Sequence, residues 1–191
     1  LRSNTFQNAG CKEQFSEQVG IMEEWCVVQG FPSYSVSNLG RVRSDIAFRN
    51  GNSGRILELS KNTRGIVYVG MMQNGVQHKR SVALMVAHAF VFTARSHTFT
   101  TPINLDGDRE NNAADNLMWR PRWFARQYFD QFRGKPHARI PRPIVEVKTE
   151  EVYENSWVAA LTHGLLDVEI FETVRNKTYV WPTYQRFELL R

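Results

Sequence analysis

The sequence predicts an α+β chain: a small antiparallel sheet module, a core of short strands and helices, and a C-terminal β-hairpin with two short helices. Three observations carry this. Short alternating segments separated by turn residues fill residues 24–80. The apolar period then lengthens from two to about 3.6 after Ser81. Beyond that point Pro121, Gly134, Pro136, Pro141 and Pro143 punctuate the chain too often for one long helix.

Residues 1–22 are polar and weakly patterned; a short helix over 12–19 and a docked or frayed tail are both open. Strands are expected at 24–28, 34–37, 41–44, 55–59, 66–71 and 76–79. Asn74-Gly75 is the strongest turn among them, because a two-residue hairpin loop needs two residues that tolerate positive φ. Ser81 is positioned to cap a helix over 82–91. There Val82, Met85, Val86 and Ala89 share one face and Leu84, Ala87 and Phe90 widen it, which predicts a buried helix. A short strand at 102–105 leads into the turn Asp106-Gly107-Asp108. An Asn-rich stretch then runs through Asn111, Asn112 and Asn116 to Met118-Trp119. Pro121 suits the first turn of a helix that Gly134 ends near residue 132. A hairpin at 144–147 and 152–153 follows, then helices starting at Ser156 and Val168, and a closing strand at 179–181. Ser156 is the expected N-cap and Gly164 the expected C-terminal stop of the first of these helices.

The chain has 191 residues, 42% of them hydrophobic and 23% charged, enough apolar material for a real core. That excludes disordered, collagenous and disulfide-framework classes. No apolar run is long enough to span a membrane, no secretory leader is recognisable, and neither GxxxxGK[ST] nor GxGxxG occurs. Cys11 and Cys26 form no zinc spacing. They read as free thiols of a reducing, intracellular compartment, with a single disulfide left open. The chain starts at Leu1 rather than Met, as a trimmed or processed chain does.

The net charge is +5, and its position matters more than its size. Residues 120–142 hold seven basic residues (Arg120, Arg122, Arg126, Arg133, Lys135, Arg139, Arg142) against Asp130 alone, a net of +6. On a helix starting near Pro121, Arg122, Arg126 and Arg133 fall within an arc of about 40°. Trp123, Phe124, Tyr128, Phe129 and Phe132 fill much of the remainder. This pattern reads as a helix anchored by aromatics that presents arginines to phosphates, with Arg139 and Arg142 continuing along an extended linker. Residues 143–191 carry five basic and eight acidic side chains. That balance suits a protein-facing or structural module better than a DNA-reading one.

Three stretches resemble phage-type HNH homing endonucleases. Glu24-Trp25, Gly30-Phe31 and the run from Tyr34 through Ser37-Asn38-Leu39-Gly40-Arg41-Val42-Arg43-Ser44 are similar to the N-terminal NUMOD4 module. Val86-Ala87-His88-Ala89-Phe90, Asn104-Leu105-Asp106-Gly107-Asp108, Asn111-Asn112 and Asn116-Leu117-Met118-Trp119 are similar to the HNH core. Arg142, Ser156, Ala159-Ala160, Gly164-Leu165 and Ile170 look like a C-terminal NUMOD1 repeat. The resemblance spans residues 23–187 and implies five segments: a tail (1–22), a β module (23–80), an HNH-like ββα-metal core (81–133), a basic linker (134–142) and a C-terminal module (143–191).

It also implies a His general base, metal ligands on a strand and a helix, and one divalent ion acting on the phosphate. The corresponding positions here are Asn104, Ile103 and about Ala125. An amide takes no proton near neutral pH and an isoleucine binds no metal. Next to Ala125, Arg126 would repel a cation. Asn104 and Asn116 therefore mark a degenerate site. Asp106 and Asp108 are the weak candidates for a metal and read first as turn residues, since no third oxygen ligand stands at a suitable spacing. His88 reads first as a packed, hydrogen-bonded histidine; an active site would need His97, or else His88, as its surrogate base.

The expected function is binding of DNA or RNA by an endonuclease-derived protein that has lost metal-dependent cleavage. It would be a DNA-binding regulator or a subunit recruited into a ribonucleoprotein such as an organellar ribosome. The secondary nucleic-acid contacts would be Arg41 and Arg43. No cofactor is expected; Mg²⁺ or Mn²⁺ belongs only to the alternative of an active HNH endonuclease with a rearranged site. A scaffold that binds only protein is the third reading. The setting would be a phage-infected cell, or an organelle matrix for a processed chain, with no membrane partner.

Overall fold

The computed structural model describes residues 12–13, 22–46, 53–92, 97–134 and 137–190. It divides into two units, Leu1–Ala94 with Asp108–Leu117, and Arg95–Gly107 with Met118–Arg191.

The first unit is built on two antiparallel sheets. Five strands run in sequence order: β1 (Lys12–Glu13), β2 (Glu24–Val28), β3 (Phe31–Ser37), β4 (Val42–Ser44) and β5 (Arg55–Ile56). The second sheet holds β6 (Ser60–Lys61), β7 (Val67–Gln73) and β8 (Val76–Ser81). Asn74 and Gly75 take φ of 51° and 77°, the positive values that the β7–β8 hairpin requires. The expected strand over 55–59 is shorter, because Leu57 leaves the ladder after one bond to the Val42 carbonyl.

Helix α1 (Val82–Phe90) follows Ser81 directly and packs on β2, β3, β7 and β8. Val82, Met85, Val86 and Ala87 are its buried side. His88 is exposed rather than packed in the core, at a pocket that Cys26, Val28, Phe31 and Arg80 of the sheets also line. Lys12 and Glu13 are strand rather than helix, paired with Trp25 and Glu24; the rest of the expected N-terminal helix lies outside the described residues. Cys26, beside Trp25 on β2, is disulfide-bonded, which corrects its reading as a free thiol.

In the second unit β9 (Thr101–Asn104) and β10 (Leu117–Arg120) form a two-stranded sheet, and α2 (Arg122–Asp130) packs on β9. Ile103, Phe124, Ala125, Tyr128 and Leu166 make one buried cluster, flanked by Leu105, Met118, Phe129, Phe132 and Trp181. Gly107 turns the chain after β9 at a φ of 79°. The Phe132 ring fills the space where a Cβ would stand, so the turn has room for hydrogen alone.

The C-terminal part of this unit holds a sheet of β12 (Val152–Tyr153), β11 (Ile144–Glu146) and β13 (Phe187–Leu189), with α3 (Ser156–His163) and α4 (Asp167–Asn176). Its core includes Ile144, Tyr153, Leu165, Ile170, Val180 and Phe187. The closing strand falls at 187–189, not 179–181. Val180 makes only an isolated bridge to Gln185, while β13 completes β11. The N-cap of α3 is Asn155, whose Oδ1 accepts from Val158 N at 3.0 Å. Ser156 is instead buried, accepting from Ile140 N and donating to Asp167. Gly164 ends α3 in the left-handed conformation, as the sequence predicts. Among the described residues, no helix is long and apolar enough to cross a membrane.

Candidate nucleic-acid interface

The turn of the first unit at Ser37-Asn38-Leu39-Gly40-Arg41 is a hydrogen-bonded clasp. Ser37 Oγ accepts from Arg41 N at 3.0 Å, and Asn38 Oδ1 accepts from Glu24 N at 3.0 Å. Gly40, at a φ of 82°, lets Asn112 approach to 3.2 Å of the position of a Cβ, and Ala114 N reaches the Asn38 carbonyl at 2.7 Å. Arg41 bonds the buried Glu23 carboxylate through Nε at 2.7 Å. Arg43 bonds Asp45 at 2.9 Å and lies 4.5 Å from the centroid of the buried Trp25 ring. Both arginines therefore have partners within the fold; Arg43 in particular is mostly buried. The Asn-rich stretch is structural as expected: Asn112 Nδ2 donates to the Arg109 and Glu110 carbonyls, and Asn116 Nδ2 to Asn111 O at 2.8 Å.

Two of the three positions to which the resemblance assigns nuclease chemistry carry hydrocarbon side chains. Ile103 is fully buried and Ala125 is 4% exposed, and both belong to the same apolar cluster. Asn104 is buried at the end of β9, where its carbonyl accepts from Gly107 N at 2.9 Å. This donor set does not fit a divalent ion: a metal between Ile103 and Ala125 would meet methyl groups where it needs oxygen or nitrogen. Asp106 is exposed beside its turn. Asp108 accepts from Glu110 N at 2.9 Å, an Asx-type bond of the kind turn aspartates make. His97 is exposed ahead of β9. Among the described residues, no three His, Cys, Asp or Glu side chains are gathered as a metal site.

The basic segment divides on inspection. Arg120 is buried at 5% exposure, and its guanidinium donates to Gly164 O at 3.1 Å, His163 O at 2.6 Å and Trp119 O at 3.0 Å. It caps the C-terminal carbonyls of α3, where a helix dipole favours a cation. Burial brings its pKa down to about 10, which leaves it charged at neutral pH. Arg120 is thus a structural lock, and its expected phosphate contact is corrected.

Arg122 and Arg126 are exposed on α2, one helical turn apart, and make no ion pair among the described residues. Arg133 lies beyond the helix end, off the expected stripe, and is 82% exposed beside Asp130 at 3.2 Å. Arg139 is half exposed and 3.8 Å from Asp167, and Arg142 is exposed. Lys135 lies outside the described residues. Arg133, His137 and Arg139 line, with Trp157, a cleft of about 570 Å³ between the end of α2 and the start of α4.

One feature of α2 departs from the sequence reading. Trp123 is not buried with the other aromatics of α2; it is 55% exposed. The helical wheel holds the signal, because Trp123 lies about 60° from Arg126 and 100° from Arg122, on the polar side. The buried side belongs to Phe124, Ala125 and Tyr128, and Tyr128 Oη donates to Leu105 O at 2.7 Å.

Comparison with known proteins agrees with the reading of the N-terminal motif. Residues 23–71 match the model of the NUMOD4 motif. In structure the chain is similar to one described as "DNA binding and cleavage by the HNH homing endonuclease I-HmuI", with 20% identity over 87% of this chain and 97% of that one, at a TM-score of 0.46. No curated protein matches the chain. The NUMOD4 match supports the resemblance to phage-type HNH homing endonucleases, within an α+β fold that has, among the described residues, small antiparallel sheets and four α-helices.

Proposed function

We propose that this chain is a nucleic-acid-binding protein derived from an HNH homing endonuclease, and that it binds without metal-dependent cleavage. The observation that carries the reading is the joint burial of Ile103 and Ala125 in one apolar cluster, where the resemblance calls for metal ligands. The neighbouring residues on the outer face of α2, Arg122 and Arg126, are cations with no internal ion pair among the described residues, as a phosphate-binding surface needs. A helix that supplies a metal ligand in a nuclease here supplies an apolar side to the core and a basic side to solvent.

The segments then take separate roles. The β module (23–80) positions the chain through its clasped turn, the core (81–133) presents α2, the basic linker (134–142) tracks the phosphate backbone, and the acidic module (143–191) faces protein. Such a protein fits a DNA-binding regulator or a subunit of a larger ribonucleoprotein. The experiment is the salt dependence of binding to duplex DNA. Each phosphate contact contributes about 0.9 to the log–log slope, so Arg122→Ala/Arg126→Ala lowers the slope by about 2. An unchanged slope and affinity would instead support a scaffold that binds only protein.

A further inference from the structure

We propose that the outer face of α2 stacks an unpaired nucleobase on Trp123, so that the preferred partner is a single-stranded segment rather than an uninterrupted duplex. The inference rests on the nucleic-acid reading above and names the class of nucleic acid that this face takes.

Trp123 is an unusual side chain to leave in water. Its ring is stacked on Trp181, with centroids 5.1 Å apart and planes 27° from parallel, and meets Phe124 edge-on at 5.8 Å. Trp181 lies in turn against Phe99 at 6.0 Å. The indole is therefore held in place by other rings, yet it stays 55% exposed. A fixed, half-open π surface of this kind is a stacking platform whose ordering cost is already met by its own packing.

The neighbours on the helix define what the platform fits. Arg122 precedes Trp123 and Arg126 follows it by three positions, and both are exposed without an ion pair among the described residues. An aromatic face flanked by free cations matches a base flanked by its phosphates. Stacking of that sort tolerates sequence, because every base has a π-face. In a continuous duplex both faces of each base are covered by neighbours, so the ligand must offer a base out of the stack. DNA and RNA single strands share this chemistry.

The test uses the full chain and short labelled oligonucleotides: a single-stranded DNA, the RNA of the same sequence, the DNA strand with central abasic sites, and the duplex. Trp123→Leu keeps an apolar contact with Trp181 and removes the base platform, while Trp123→Phe keeps both. The expected result is a loss of about tenfold in single-strand affinity for Trp123→Leu, largely restored in Trp123→Phe. Duplex affinity and the salt slope stay unchanged, and the abasic strand binds the unaltered protein as weakly as the normal strand binds Trp123→Leu. The DNA and RNA arms show which sugar is preferred; the loss in either supports the proposal. Single-strand binding by Trp123→Leu equal to the unaltered protein, or an equal loss on duplex, overturns it. If duplex binding still depends on Arg122 and Arg126 in that case, the functional reading stands and only the stacking fails. If the protein binds no nucleic acid at all, both fail.

Discussion

Replacing Arg120 by methionine separates the two roles a basic residue can have in this segment. Methionine keeps the apolar stem and removes the guanidinium. Three bonds from a charged donor to backbone carbonyls are lost, two of them to residues more than forty positions away in α3 and its cap. Bonds of this type contribute about 1.5–3 kcal/mol each. Against this stands the cost of burying the cation. The fall of its pKa from 12.5 to about 10 corresponds to roughly 3 kcal/mol that methionine recovers. The two effects leave a net loss of about 1.5–6 kcal/mol, or about 6 °C or more in Tm for the second unit, which has fewer than 100 residues. Urea and thermal unfolding followed by circular dichroism measure it. Nucleic-acid binding measured well below the new Tm should keep its salt slope, because Arg120 faces carbonyls and not phosphate. A variant that keeps its Tm within about 2 °C yet loses about one contact's worth of salt slope would refute the reasoning and return Arg120 to the surface.

Gly107→Ala should cost about 2–4 kcal/mol, since it combines an unfavourable positive φ with a methyl driven into the Phe132 ring; denaturant titration measures it. His163 bonds the Tyr153 hydroxyl at 2.7 Å, and burial holds its pKa below the ordinary 6.5. The unfolded imidazole thus takes a proton near pH 6.5 that the folded one refuses. Stability is full above pH 6.5 and falls as the pH drops toward the folded pKa, and His163→Gln should flatten that slope in a pH series of melts. Arg133→Ala breaks only the exposed pair with Asp130 and should change stability by less than about 1 kcal/mol in the same assay.

Features set by neighbours in sequence were legible in it. The Asn74-Gly75 hairpin, the stop of α3 at Gly164 and the turn at Gly107 each depend on local backbone demands that one or two residue types meet, whereas the Ser81 side chain makes no capping bond to α1. Misreadings arose where a distant residue decides. Ser156 has the chemistry of an N-cap, but its hydroxyl is taken by Ile140 and Asp167, so the cap passes to Asn155. Arg120 is one of seven similar residues in its segment until Gly164, 44 positions on, turns a carbonyl toward it. Trp123 counts as an anchor until the stacking partner proves to be Trp181 and the core side of α2 proves to be already full. At the positions that the resemblance assigns, the residue types Ile103, Asn104 and Ala125 were legible; their shared burial was not, because it depends on how β9 and α2 pack.

The central claim is that the chain binds nucleic acid but does not cut it. Its most direct test is the nicking of supercoiled plasmid by saturating protein with Mg²⁺ or Mn²⁺, with complex formation followed in the same reactions by gel shift. The expected result is a shifted, uncut plasmid that chelator leaves unchanged. Metal-dependent nicks that disappear on His97→Ala would contradict it and establish an active endonuclease with a displaced base.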